Sequence, residues 1–85
     1  MTANQAAAAT VLTRVGVPEG DMADALAAVE DVVGIFHPEP GPALTVLWEC
    51  AAEFVGTFGA VTDLHGHGLR QVAPLARAAF KLQRF

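Results

Sequence analysis

The sequence predicts an all-α fold, a small bundle of three to four helices with an irregular loop before the C-terminal helix. Apolar residues recur at three- and four-residue steps in the long stretches, which is the pattern of amphipathic helices. Glycine and proline fall between those stretches and separate the elements. A chain of 85 residues is short enough for one domain. We therefore expect a single helical domain over residues 1–85, with a loop at 60–73 and a basic C-terminal helix or tail at 74–85.

The first two helices are predicted from their periodicity and their end signals. Residues 4–15 form a short helix with Asn4 as a possible N-cap and Gly16 as its C-terminal stop. The second helix begins with Asp21 as N-cap, and Pro38 ends it. Its apolar stripe is long and regular, and it consists of Met22, Ala25, Leu26, Val29, Val32, Val33 and Phe36.

The third helix is predicted over residues 43–58, with Pro42 at its first position. Apolar residues occupy most of its circumference. The polar positions form only a narrow seam, which consists of Thr45, Glu49, Glu53 and Thr57. A helix that is apolar nearly all round is typically buried, so we expect this one at the centre of the fold or in a subunit interface. Cys50, beside Trp48, is interpreted as a buried packing residue.

After Gly59 the residue pattern becomes irregular. Residues 60–73 contain the sequence His65-Gly66-His67-Gly68, which favours a loop or a short hairpin. A last helix is expected from Pro74 onward. Its basic residues at positions 77, 81 and 84 share one face, because helical neighbours lie three or four residues apart.

Charge is divided sharply along the chain. All nine acidic residues lie between Glu19 and Asp63, and four of the five basic residues follow Leu69. The acidic body should attract the basic C-terminal segment, either within one molecule or between neighbouring copies.

Size and composition also predict a partner. Hydrophobic residues make up 53% of the chain and charged residues only 16%, which is more apolar surface than so small a body easily hides. Cys50 is the only cysteine, so no disulfide within the chain can add stability, and oligomerisation is the expected substitute.

The chain has few side chains suited to nucleophilic catalysis, because it contains neither Ser nor Tyr. We therefore predict a protein that is not an enzyme and that uses no cofactor. Glu49 and Glu53 are best explained as a solvated polar seam. His65 and His67, with Asp63, are a weaker alternative as metal ligands, since a Gly-rich loop fixes no ligand well.

Two further partner classes are disfavoured. Three basic residues beneath an acidic body are a small footprint for nucleic acid, so no specific nucleic-acid binding is expected. Residues 43–61 are long enough to span a bilayer, but Glu49 and Glu53 would cost about 2.5 kcal/mol or more each near its centre. No membrane association is therefore expected, although a holin-like pore remains an alternative. The Ala-rich start does not resemble a secretion signal, which favours a cytoplasmic origin.

The order of these parts resembles the small head–tail connector (head completion, or adaptor) proteins of tailed actinobacterial phages. The matching stretches are Ala23 to Val33, His37 to Pro40, Trp48 to Phe54 and Gly66 to Val72. This chain departs from the family's pattern at Val55-Gly56-Thr57-Phe58, where many relatives carry an Arg-rich helix end.

The resemblance implies a virion structural protein that forms a homo-oligomeric ring between portal and tail. Such a protein is made in the host cytoplasm and then incorporated at the head–tail interface of the virion. The predicted interface, with portal, tail-side proteins and copies of itself, consists of Arg70, Arg77, Lys81, Arg84, Phe85, Trp48, His65 and His67. A small helical substrate or partner of a secretion system is the alternative, suggested by the Trp-bearing helix and the aromatic C-terminus.

Overall fold

The computed structural model describes residues 1–62 together with Gly68 and Pro74. In this part of the chain the all-α prediction is confirmed. Three helices follow one another, α1 (Ala3–Arg14), α2 (Met22–Gly34) and α3 (Pro42–Thr62), and a single 3-10 turn (Glu19–Asp21) precedes α2. Apart from Pro74, the predicted final helix at 74–85 lies outside the described residues, and so does most of the predicted loop.

The start of α1 corrects one prediction, because the N-cap is Thr2 and not Asn4. The Thr2 hydroxyl accepts a hydrogen bond from the Gln5 backbone N–H at 3.1 Å, and the Gln5 side chain accepts one from the Thr2 backbone N–H at 2.8 Å. This reciprocal pair is a capping box, which satisfies two backbone donors that the helix itself leaves unpaired. Asn4 instead lies inside the first turn.

Gly16 ends α1, as predicted. It adopts a φ of 98°, a left-handed conformation that favours glycine. The Gly16 N–H donates to the Thr13 carbonyl at 3.1 Å, and the Val17 N–H donates to the Leu12 carbonyl at 3.0 Å. These two bonds define a Schellman motif. Val17 and Leu12 are both buried, so the motif also carries its usual apolar contact.

The second helix begins where the sequence predicts, although Asp21 caps it by position only and makes no side-chain capping bond. Its end is earlier than predicted. The α-helix stops at Gly34, and Ile35 and Phe36 then donate to carbonyls three residues back, at 3.1 Å each. His37, which precedes Pro38, has a φ of 47°. Since a proline disfavours the α-helical conformation of the residue before it, the chain leaves the helix ahead of Pro38.

The third helix begins at Pro42, as predicted, because a first helical position needs no backbone N–H. It continues to Thr62, four residues beyond the predicted end, so residues 60–62 are helix and not loop. Gly56 and Gly59 lie within it and are both buried. Tertiary packing outweighs their poor helix propensity here.

The helices α1 and α3 run side by side in the same direction. At one end the Thr45 hydroxyl donates to the Asn4 side-chain oxygen at 2.8 Å. At the other end Gly56 lies directly against the side chain of Val15. Both pairs are separated by 41 residues, so the two helices stay in register over about 16 Å. The short connections then require α2 to run antiparallel to both.

The core lies where the three helices meet. Its buried residues come from every helix and from the first connector, and they are Ala8, Val11, Leu12, Val17, Ala25, Ala28, Val29, Val32, Val33, Ala51, Ala52 and Val55. Five of them are alanines, so the backbones can approach closely. The core is correspondingly small, as expected for so short a chain.

Candidate interaction surface

The third helix is rich in apolar residues, yet many of its side chains are exposed. It is apolar around most of its circumference, yet only 28% of an 18-residue window within Pro42–Val61 is buried within the protein. The prediction placed this helix at the centre of the fold or in a subunit interface, and within residues 1–62 it contributes Ala51, Ala52 and Val55 to the core while other positions stay exposed. Among residues 1–62, α1 and α2 pack on one side of α3 and leave its opposite side uncovered.

A line of uncharged, exposed residues follows this open side. Val46 is 58% exposed and Val61 is 80% exposed. Cys50 and its neighbours along the line are also exposed. We call this line the open face, and it consists of Ala43, Val46, Cys50, Thr57 and Val61. Steps of three, four, seven and four residues keep these positions on one side of a helix.

Cys50 contradicts the sequence interpretation most directly. The interpretation of Cys50 as a buried packing residue beside Trp48 is wrong, because its side chain is exposed. On the helix, Cys50 lies two residues from the buried Ala52, which places it about 160° away around the axis. Its thiol therefore lies on the open face.

Two glutamates border the open face on one edge. Glu49 and Glu53 follow Val46 and Cys50 by three residues each, and both are exposed. They lie one helical turn apart, with Cβ atoms about 6 Å from each other. This agrees with the predicted polar seam.

Half-buried apolar side chains border the other edge. Leu47 and Phe54 pack against the core from this position. The rings of Phe54 and Phe58 are stacked, with centroids 6.0 Å apart and planes inclined by 25°. The open face is thus bordered on one side by apolar side chains that reach the core. On the other side it is bordered by the two negatively charged glutamates.

The charges of the described helices are almost all negative. Residues 1–62 carry eight acidic side chains and one basic side chain, Arg14, for a formal charge of −7. Residues 63–85 carry four basic side chains and one acidic side chain, for a formal charge of +3. The two parts are electrostatically complementary.

Trp48 is the one predicted interface residue within the described helices. It is half-buried and packs against the core, so it supports α3 and does not lie on the open face. The other predicted interface residues lie outside the described residues, and they are Arg70, Arg77, Lys81, Arg84, Phe85, His65 and His67.

No group of three potential metal ligands occurs among residues 1–62. The weaker alternative of a metal site at His65 and His67 falls outside this range. The helix Pro42–Val61 has the length and composition of a membrane span, a property that it shares with core helices of soluble proteins.

Comparison of the chain with protein-family models, curated proteins and solved structures finds no match.

Sequence reasoning placed α3 at the centre of the fold or in a subunit interface, but it did not identify the residues of the open face. Periodicity identifies α3 as apolar nearly all round, but it does not reveal how many neighbours are present to cover it. Within residues 1–62 only two other helices, of 12 and 13 residues, are present to cover the 21 residues of α3.

Proposed function

We propose that this protein is a structural subunit that assembles with copies of itself by burying the open face of α3. The observation that carries the proposal is the exposure of Val46, Cys50 and Val61 along one line of an apolar helix. Burying apolar surface contributes about 25 cal/mol per Å², so an exposed line of this kind favours association.

The kind of assembly is proposed from the sequence resemblance to head–tail connectors. In this proposal a ring of copies lies between portal and tail, and the basic residues of 63–85 contact acidic surfaces. The division of charge supports a head-to-tail contact, in which different patches of two copies meet, because a body of −7 and a segment of +3 attract each other. Such a contact closes into a ring when its rotation allows.

The mass of the full chain in solution tests the proposal. Light scattering of the unaltered protein should show multimers whose mass rises with concentration. Val46→Glu should shift the protein toward the single-chain mass of 8.8 kDa, because it places a charge within the open face. Ala23→Glu is the matched control, since it adds the same charge at an exposed position of α2 and should leave the mass unchanged.

A mass of 8.8 kDa for the unaltered chain at every concentration would contradict self-assembly. Equal effects of Val46→Glu and Ala23→Glu would show that added charge, and not the open face, governs association.

A membrane pore former is the second candidate, and one observation favours it. The stretch Pro42–Val61 is apolar, and only 28% of an 18-residue window within it is buried, so a bilayer is another environment that could receive it. Flotation with lipid vesicles separates the two candidates. A pore former would float with the vesicles without detergent, whereas a connector subunit should stay in the aqueous fraction.

A further inference from the structure

The open face and the two glutamates on its edge form a surface that fits one kind of ligand. We call this surface the receptor. Val46 and Cys50 offer an exposed apolar line, and Glu49 and Glu53 lie beside it at a spacing of one turn. A fitting ligand is a segment with apolar residues and with basic residues four positions apart. Arg77 and Lys81 have that spacing, with Leu75 and Leu82 close by in the sequence.

We propose that the open face of α3 in one copy binds the basic segment 75–84 of a second copy. This inference rests on the proposed self-assembly and names the surface and the segment that meet. Opposite charges fix the pairing, since the glutamates attract the basic residues at positions 77, 81 and 84. The second copy is the occupant that the proposed self-assembly supplies, and residues 1–62 leave Val46, Cys50 and Val61 exposed to receive it.

Such a contact is heterologous, because it joins two different patches. Each copy then offers one free receptor and one free segment, so copies add in one direction and can close into a ring. A symmetric antiparallel pairing of two open faces would instead bring Glu49 and Glu53 near their own counterparts, where like charges repel.

A charge exchange between two full-length variants tests this arrangement. The first variant, Glu49→Lys with Glu53→Lys, reverses the receptor. The second, Lys81→Glu with Arg84→Glu, reverses the segment. Each variant alone should associate at least about tenfold more weakly than the unaltered chain in low salt, because like charges then face each other. Mixed in equal amounts, they should recover assembly, since each receptor then meets a segment of opposite charge.

The mixture also distinguishes a failure of this contact from a failure of the proposed self-assembly. If the unaltered chain assembles but the mixture does not recover, this contact is wrong and the proposed assembly stands. If the unaltered chain is itself monomeric, the proposed function fails. If both variants assemble like the unaltered chain, charge does not guide the contact and the inference is overturned. A chain carrying all four substitutions that is monomeric, although the mixture assembles, would equally contradict the pairing, because its receptor and segment are again complementary.

Discussion

Thr2 and Thr10 use their hydroxyl groups in opposite ways along α1. The Thr2 hydroxyl accepts from a free backbone N–H at the helix start, whereas the Thr10 hydroxyl donates to the Ala6 carbonyl, which the helix already uses. Thr2→Ala should therefore lower the free energy of unfolding by about 1 kcal/mol. Thr10→Ala is the control, and it should leave stability unchanged or raise it slightly, since alanine is the better helix former. Urea denaturation measures both. Equal losses would contradict the capping role of Thr2.

Gly56 and Gly34 form a second matched pair. A Cβ at Gly56 would collide with the side chain of Val15, whereas a Cβ at Gly34 would meet nothing within 4 Å. Overpacking costs about 1–3 kcal/mol, and replacing a helical glycine with alanine returns up to about 1 kcal/mol. Gly56→Ala should thus destabilise the protein, while Gly34→Ala should be neutral or stabilising. The midpoints of urea unfolding decide between them, and a stabilised Gly56→Ala would disprove the close contact of α1 with α3.

At the scale of elements, α3 has two sides with different energetic roles. Val55 is fully buried against α1 and α2, and Val46 is 58% exposed on the same helix. Val55→Ala should cost about 2 kcal/mol of unfolding free energy, from lost burial and the cavity that remains. Val46→Ala should stay within about 0.5 kcal/mol in dilute solution. A comparable loss in both variants would mean that Val46 is covered, contrary to the account of the open face.

The elements also show what could be predicted from this sequence. Pro42 and Gly16 mark helix ends correctly through local backbone chemistry, whereas Asp21 marks the start of α2 by position and makes no side-chain capping bond. The ends that depend on competition between neighbours were less accurate. Thr2 displaced Asn4 as N-cap by forming a box with Gln5, and α3 continued through Gly59 because packing tolerates a glycine there.

For the whole molecule, the difficult quantity was burial. The exposure of Cys50 depends on where α1 and α2 lie, and no local pattern contains that information. The expectation of surplus apolar surface, in contrast, followed from composition and agrees with the exposed Val46 and Val61. Composition thus predicted that some apolar surface would stay exposed. Only the packing of the helices identified the open face as that surface.

The distribution of charge over the whole chain predicts how salt changes assembly. The body of −7 and the segment of +3 attract each other, and salt screens this attraction because the Debye length falls from about 10 Å at 0.1 M to about 3 Å at 1 M. Assembly measured by light scattering should therefore weaken as salt rises to 1 M. If association strengthens steadily instead, apolar burial alone drives it, and the basic segment has no part in the contact.

The rate at which Cys50 reacts with a maleimide, followed across protein concentration, tests the open face most directly. Cys50 is the only cysteine in the chain, so the labelling reports one position. In dilute solution the exposed thiol should react at nearly the rate seen for the same chain unfolded in urea, and the rate should fall at least about tenfold as copies associate. Slow labelling at the lowest concentration, or a rate that stays constant while the mass rises, would contradict the claim that this face of α3 is buried between copies.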